Sequence, residues 1–229
     1  MSLNHQSYLP TLIGLFLVFV LPLICNFSLK SKYRKSRYFY GIVIHHWSIV
    51  FLLFILITLW EHQSLASIGF RTLSYREILW GFAGFFVGIL SFALTTPLIR
   101  KLHLNTTSEG VTRLATVPLG LRVVLVLTAG IAEEIMFRGY AIERLTALTG
   151  SLAIGAGMAY LVFVLLHLSF WGPGGTIQIG VWTLLVTILY VLQRNLWPCI
   201  LMHILNDAYA FILMPVFFSR SATKDQRKT

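Results

Sequence analysis

Residues 38–60, YFYGIVIHHWSIVFLLFILITLW, run for 23 positions without a Lys, Arg, Asp or Glu. At 1.5 Å per residue a helix of that length reaches about 34 Å, enough to cross a hydrocarbon layer of about 30 Å. Tyr38, Tyr40 and Trp60 stand at its two ends, where amphipathic rings settle at a membrane–water boundary. His45 and His46 lie inside the run. They are read here as side chains near the interface or hydrogen-bonded within a bundle, in preference to a functional site.

The pattern extends in both directions. Residues 1–29 hold no charge, and their apolar part, 9–29, lacks a basic stretch before it and a small-residue cleavage site within it. It therefore reads as a retained first span rather than a signal peptide. Five basic residues follow in KSKYRKSR, Lys30 to Arg37. After a polar segment at 61–77, a third span runs over 78–99, where Gly81, Gly84 and Gly88 offer a small-residue face for close helix contact. A fourth apolar run is clean only over 123–132 and continues into EEIMFRGYAIER, 133–144. Ten residues cannot cross alone, so the helix is expected to continue through the charges. Residues 145–193 are uncharged and are divided by WGPGG at 171–175, a strong turn signal. That predicts spans at 151–169 and 177–192, and a last one over 195–218 contains Asp207.

Composition supports the same class. Hydrophobic residues make up 57% of the 229, and charged residues 11%, against about half and about a quarter in soluble domains. Mean hydropathy is +0.78. These values exclude a disordered chain and a disulfide-rich secreted domain. The net charge of +10 does not point to nucleic acid, because the basic residues cluster beside apolar runs, where they set topology and meet anionic lipid headgroups. Cys25 and Cys199 both lie in apolar stretches and read as packing residues. The expected fold is all-α, a polytopic transmembrane bundle of about seven spans (six to eight) in one membrane domain, with a polar intramembrane cavity in its C-terminal half. Grouping the segments 30–37, 100–122, 170–176 and the tail collects 13 of the 18 Lys and Arg residues. By the positive-inside rule that face is cytoplasmic, with the N-terminus outside and a basic cytoplasmic tail over 219–229.

Charge at membrane depth is costly and points by default to function. Three places carry it. Glu133 and Glu134 are followed by Arg138, which at i,i+4 from Glu134 can pair with it. Glu133, one residue earlier, is left out of that pairing. A helix end whose charges meet water is the plain alternative. His167 follows Phe163 by one turn, and as a lone histidine it is more often structural. His203 and Asp207 are again i,i+4, with Asn206 beside them, a spacing that orients an imidazole or supplies two metal ligands. If these late helices pack together, the groups converge on one cavity suited to activating water: a carboxylate as general base and imidazoles as partners or donors.

EEIMFRG (133–139), FVLLH (163–167) and HILND (203–207) resemble, in order and spacing, the motifs EExxxR, FxxxH and HxxxN/D of the CPBP family of intramembrane proteases, which includes the type II CAAX prenyl endopeptidases and the bacterial Abi proteins. The resemblance covers about 120–210, with 119–218 as catalytic helices. It implies an intramembrane endopeptidase in a multi-pass membrane protein, in the bacterial cell membrane if the Abi-like likeness holds. The substrate would be a membrane-associated peptide or membrane protein, a prenylated CAAX-type peptide among them. Glu133 would be the water-activating base with His167 beside it, Glu134 a supporting carboxylate paired with Arg138, and His203 with Asp207 the oxyanion side. Phe163 and Asn206 would support the site.

The resemblance includes both metal-dependent and metal-free descriptions of the family. No HExxH helix is present, and the metal-free reading is preferred. Were Zn²⁺ or another divalent ion bound, Glu133, His167, His203 and Asp207 would be its ligands. Asp207 stands where the motif also takes Asn, and an ionised Asp cannot donate. It is expected to orient His203, with a neutral acid that donates or a metal ligand as alternatives. The charge count sets Glu133 toward the non-cytoplasmic face, whereas the resemblance implies a site open to the cytosol. Rival functions from the same residues are a non-catalytic membrane scaffold and an ion- or proton-coupled transporter. The partners expected are membrane lipids and the substrate.

Overall fold

The computed structural model describes residues 8–24 and 35–215. The basic residues at 30–34, Cys25 and the tail expected over 219–229 lie outside the described residues. Among those described, every regular element is helical: α1 (Leu9–Phe19), α2 (Lys35–Ile55), α3 (Tyr75–Lys101), α4 (Thr107–Ala115), α5 (Leu119–Thr128), α6 (Ile142–Thr149), α7 (Leu152–Gln193) and α8 (Leu196–Ala208). Four helices are long and apolar enough to cross a membrane: Tyr38–Trp60, Tyr75–Lys101, Leu152–Gln193 and Leu196–Leu213, with Leu9–Ile24 as a shorter apolar helix. Large apolar side chains such as Leu59, Leu94 and Leu161 point outward from them, while Glu134 and Arg138 are inside. This inverted arrangement is that of a protein whose solvent is lipid.

The predicted boundary at 38–60 is reproduced, the last five residues, Leu56–Trp60, being wound as a π-helical turn. At 42 residues α7 would measure about 63 Å if straight, twice the hydrocarbon thickness. It does not stay straight. Gly172 sits at φ 69° and ψ 176°, a backbone conformation that favours glycine. The two arms fold back on each other, so that a Cβ on Gly180 would lie 3.5 Å from the Tyr160 hydroxyl. The turn read at WGPGG is thus the fold-back, and the two spans expected around it are the arms of one hairpin.

Two local devices fix the frame. Ser74 caps α3 in a reciprocal pair with Glu77, whose carboxylate accepts from the Ser74 backbone N–H at 2.8 Å. The three glycines of α3 then lie against α8, Gly81 on Leu201, Gly84 on Met202 and Gly88 on Asn206 and Trp182. A side chain at any of them would push the helices apart.

α5 runs without a break through a π-helical stretch, Ala129–Ala141, into α6. The helix does continue through the charges, but it is wound with the wider i→i+5 pitch over EEIMFRG rather than as the plain α-helix assumed from the sequence. Every 18-residue stretch of it holds three or more charges, and it is not among the four long apolar helices.

At one end of this helix lies a polar knot. Glu61 Oε1 accepts from Thr11 Oγ1 at 3.1 Å and from the Tyr140 hydroxyl at 2.8 Å. Its Oε2 accepts from Arg144 Nε at 2.8 Å, and Arg144 also donates to Ser67 Oγ at 3.0 Å. The knot ties α1, the 61–68 segment and α6 together. Cys199 is a buried free thiol.

Candidate active site

The π-helical stretch presents Glu133 and Glu134 to different surroundings. Glu134 is fully buried. Its Oε1 accepts from Arg138 Nη1 at 2.8 Å and from His203 Nδ1 at 2.7 Å. The i,i+4 pair read from the sequence therefore forms, and α8 supplies a third member. Arg138 lies over the Phe163 ring, 4.5 Å from its centroid, and Phe163 packs on the His167 ring at 4.4 Å. Arg138 and Phe163 thus join the three motifs into one buried chain from His203 to His167.

Glu133 faces the other way, into a cavity of about 850 Å³. His167, His203 and Asp207 line the same cavity, as do Phe163 and Asn206, with apolar walls from residues such as Phe92, Leu114 and Phe170. Glu134 is not on its surface; it stands behind His203. Glu133 is 16% exposed, and among the described residues the side chain facing its carboxylate is His46, with Nε2 3.6 Å from Glu133 Oε1. The sequence marks His46 only as a histidine within an uncharged span, near the interface or hydrogen-bonded in the bundle, because its partner is 87 positions away in sequence.

Each imidazole is held by one nitrogen. His167 Nδ1 donates to the Phe163 carbonyl at 2.8 Å, so Nε2 is the atom left for the cavity. This explains the FxxxH spacing: the i−4 carbonyl fixes the tautomer and the ring of residue i−4 supports the face. His203 Nδ1 is taken by Glu134, and Nε2 lies 3.7 Å from Asp207 Oδ2. The i,i+4 pair of His203 and Asp207 is present at ion-pair distance, and a second carboxylate, Glu134 on a different helix, makes the hydrogen bond to the ring. Asn206 turns its amide to the Met202 carbonyl at 2.8 Å.

Among the described residues no group of three or more His, Cys, Asp or Glu side chains is placed to hold a metal ion. Glu133, His167, His203 and Asp207 share the cavity but are not gathered as a ligand set.

Residues 114–209 match the family model described as Type II CAAX prenyl endopeptidase Rce1-like. No curated protein and no solved structure matches the chain. The matched segment runs from the end of α4 through α8 and contains all three motifs. The long apolar helices and this family together make the chain a multi-pass membrane protein, and the family is one of proteases acting on peptides. By this match residues 114–209 belong to the Rce1-like family of type II CAAX prenyl endopeptidases.

Proposed function

We propose that the protein is an intramembrane endopeptidase that hydrolyses a peptide bond with water activated by Glu133, its chain crossing the bilayer about seven times with the two arms of α7 as separate passes. The observation that carries this reading is the difference between the paired glutamates: Glu134 is buried away from the cavity with its Oε1 held by both Arg138 and His203, while Glu133 reaches the cavity with a carboxylate oxygen to spare. Water gives a proton to Glu133, and its oxygen bonds to the scissile carbonyl carbon. His167 Nε2 helps to hold that water. The oxyanion forms on the His203 and Asp207 side. Glu133 then returns the proton to the amide nitrogen as the C–N bond breaks. The apolar walls suit a lipid-bearing or membrane-embedded peptide, with a prenylated CAAX-type peptide as the substrate to try.

The test is purified protein in lipid vesicles with a farnesylated CAAX-ended peptide, following release of the C-terminal tripeptide by mass spectrometry. Wild type is expected to release it. Glu133→Gln, which keeps the shape and removes the proton acceptor, is expected to lower the rate by roughly 10²–10⁴. Cleavage at the wild-type rate with Gln at 133 removes Glu133 from the chemistry.

A further inference from the structure

We infer that His46, from outside the segment that matches the family, is a positioning residue for Glu133; the inference rests on the endopeptidase reading above. Three observations converge on it. First, His46 is held in the same way as His167. Its Nδ1 donates to the carbonyl four residues earlier, Ile42, at 2.8 Å, as that of His167 donates to Phe163 at 2.8 Å. Both rings are thereby fixed to present Nε2 to the cavity that both line. Second, Nε2 of His46 faces Oε1 of Glu133 at 3.6 Å, and among the described residues no other side chain is in ion-pair range of that carboxylate. Third, the approach of the two helices is pinned close by. Trp47 Nε1, on the residue after His46, donates to Thr128 Oγ1 at 3.1 Å, five positions before Glu133. Thr128 is itself buried.

Nδ1–H being taken by the Ile42 carbonyl, Nε2 serves Glu133 by donating to Oε1, which leaves the carboxylate ionised as a base must be. A gap of 3.6 Å is slightly long for a direct hydrogen bond and closes with a small rotation of the Glu133 side chain. The consequence for the reaction is selective. His46 engages Oε1 and leaves Oε2 to face the water. Without it the carboxylate of Glu133 has no fixed orientation, since Glu134 takes both Arg138 and His203. The helix Tyr38–Trp60 then completes the site rather than merely surrounding it.

The test compares His46→Phe with His46→Gln in the vesicle assay with the farnesylated peptide. Phe keeps a ring in place and removes the polar contact. Gln places an amide near the position of Nε2 and can bond to Oε1. His46→Phe is expected to lower kcat by roughly 10- to 100-fold, the range for a hydrogen bond to a charged group, with KM within about twofold. His46→Gln is expected to recover kcat to within about fivefold of wild type. In a Glu133→Gln background, His46→Phe should cost less than about threefold more. Wild-type kcat in His46→Phe, equal loss in Phe and Gln, or full additivity with Glu133→Gln each overturns the assignment. If wild type cleaves nothing, the endopeptidase reading fails separately. The contact is then judged by the same double-mutant cycle in unfolding midpoints, where coupling between positions 46 and 133 supports it and additivity overturns it.

Discussion

The Glu61 knot and the Glu133 cavity are both charged groups inside an apolar bundle, and their bonding is opposite. In the knot both carboxylate oxygens are occupied: one by Thr11 and Tyr140, the other by Arg144. The distances are those of full hydrogen bonds. In the cavity the separations are loose, 3.6 Å from His46 to Glu133 and 3.7 Å from His203 to Asp207, and the groups are open to 850 Å³ of space. Burying a charge is costly unless its partners are complete. The knot meets that condition and holds helices together. The cavity leaves it unmet at Glu133, which is the condition for a carboxylate that must accept a proton from something that comes and goes. Glu134, one residue from Glu133, stands between the two: its Oε1 is held by Arg138 and His203, and its buried Oε2 has no hydrogen-bond partner among the described residues.

Removing the cation from the knot should break this contrast most visibly. Arg144→Met keeps the volume and strands Glu61, whose side chain is 6% exposed. The loss of a buried partner is expected to cost about 3–5 kcal/mol of stability, read from unfolding in detergent, while kcat of the molecules that stay folded is unchanged. Glu133→Gln should do the reverse, removing activity with the unfolding midpoint near that of wild type. A kcat defect in Arg144→Met without loss of stability would make the knot part of the reaction.

A smaller effect sharpens the comparison within the cavity. Because Glu134 fixes the His203 ring, Asp207→Asn is expected to change kcat by less than about threefold, the amide adding a donor on the oxyanion side. A fall of more than about tenfold would make Asp207 the group that orients His203.

What the sequence revealed was local. The uncharged run 38–60, the glycines of α3 and the turn at WGPGG are signals of length, size and backbone freedom, and each appears in the fold where the sequence sets it. The Glu134–Arg138 pair is also local, four residues on one helix. The π winding of Ala129–Ala141 was not legible, because the same residues suit an α-helix and the choice between them depends on packing. His46 with Glu133 and Glu61 with Arg144 lie 87 and 83 positions apart, and no periodicity within a helix encodes a partner on another. The second carboxylate at His203 has the same cause. The residue at i+4 was visible in the sequence, whereas Glu134, 69 positions away, was visible only as half of a pair with Arg138.

The central claim is that Glu133 activates water and does not itself attack the peptide. A single turnover in H₂¹⁸O, with enzyme in excess over the farnesylated peptide, separates the two routes. If Glu133 acts as a base, the new carboxylate of the first product carries one ¹⁸O from solvent. If the Glu133 carboxylate attacks the carbonyl and water then opens the resulting anhydride at the Glu133 carbon, the first product takes an unlabelled oxygen from the enzyme and the label appears in Glu133. One ¹⁸O in the product and none in Glu133 is the predicted result; unlabelled product with label in Glu133 would contradict the account.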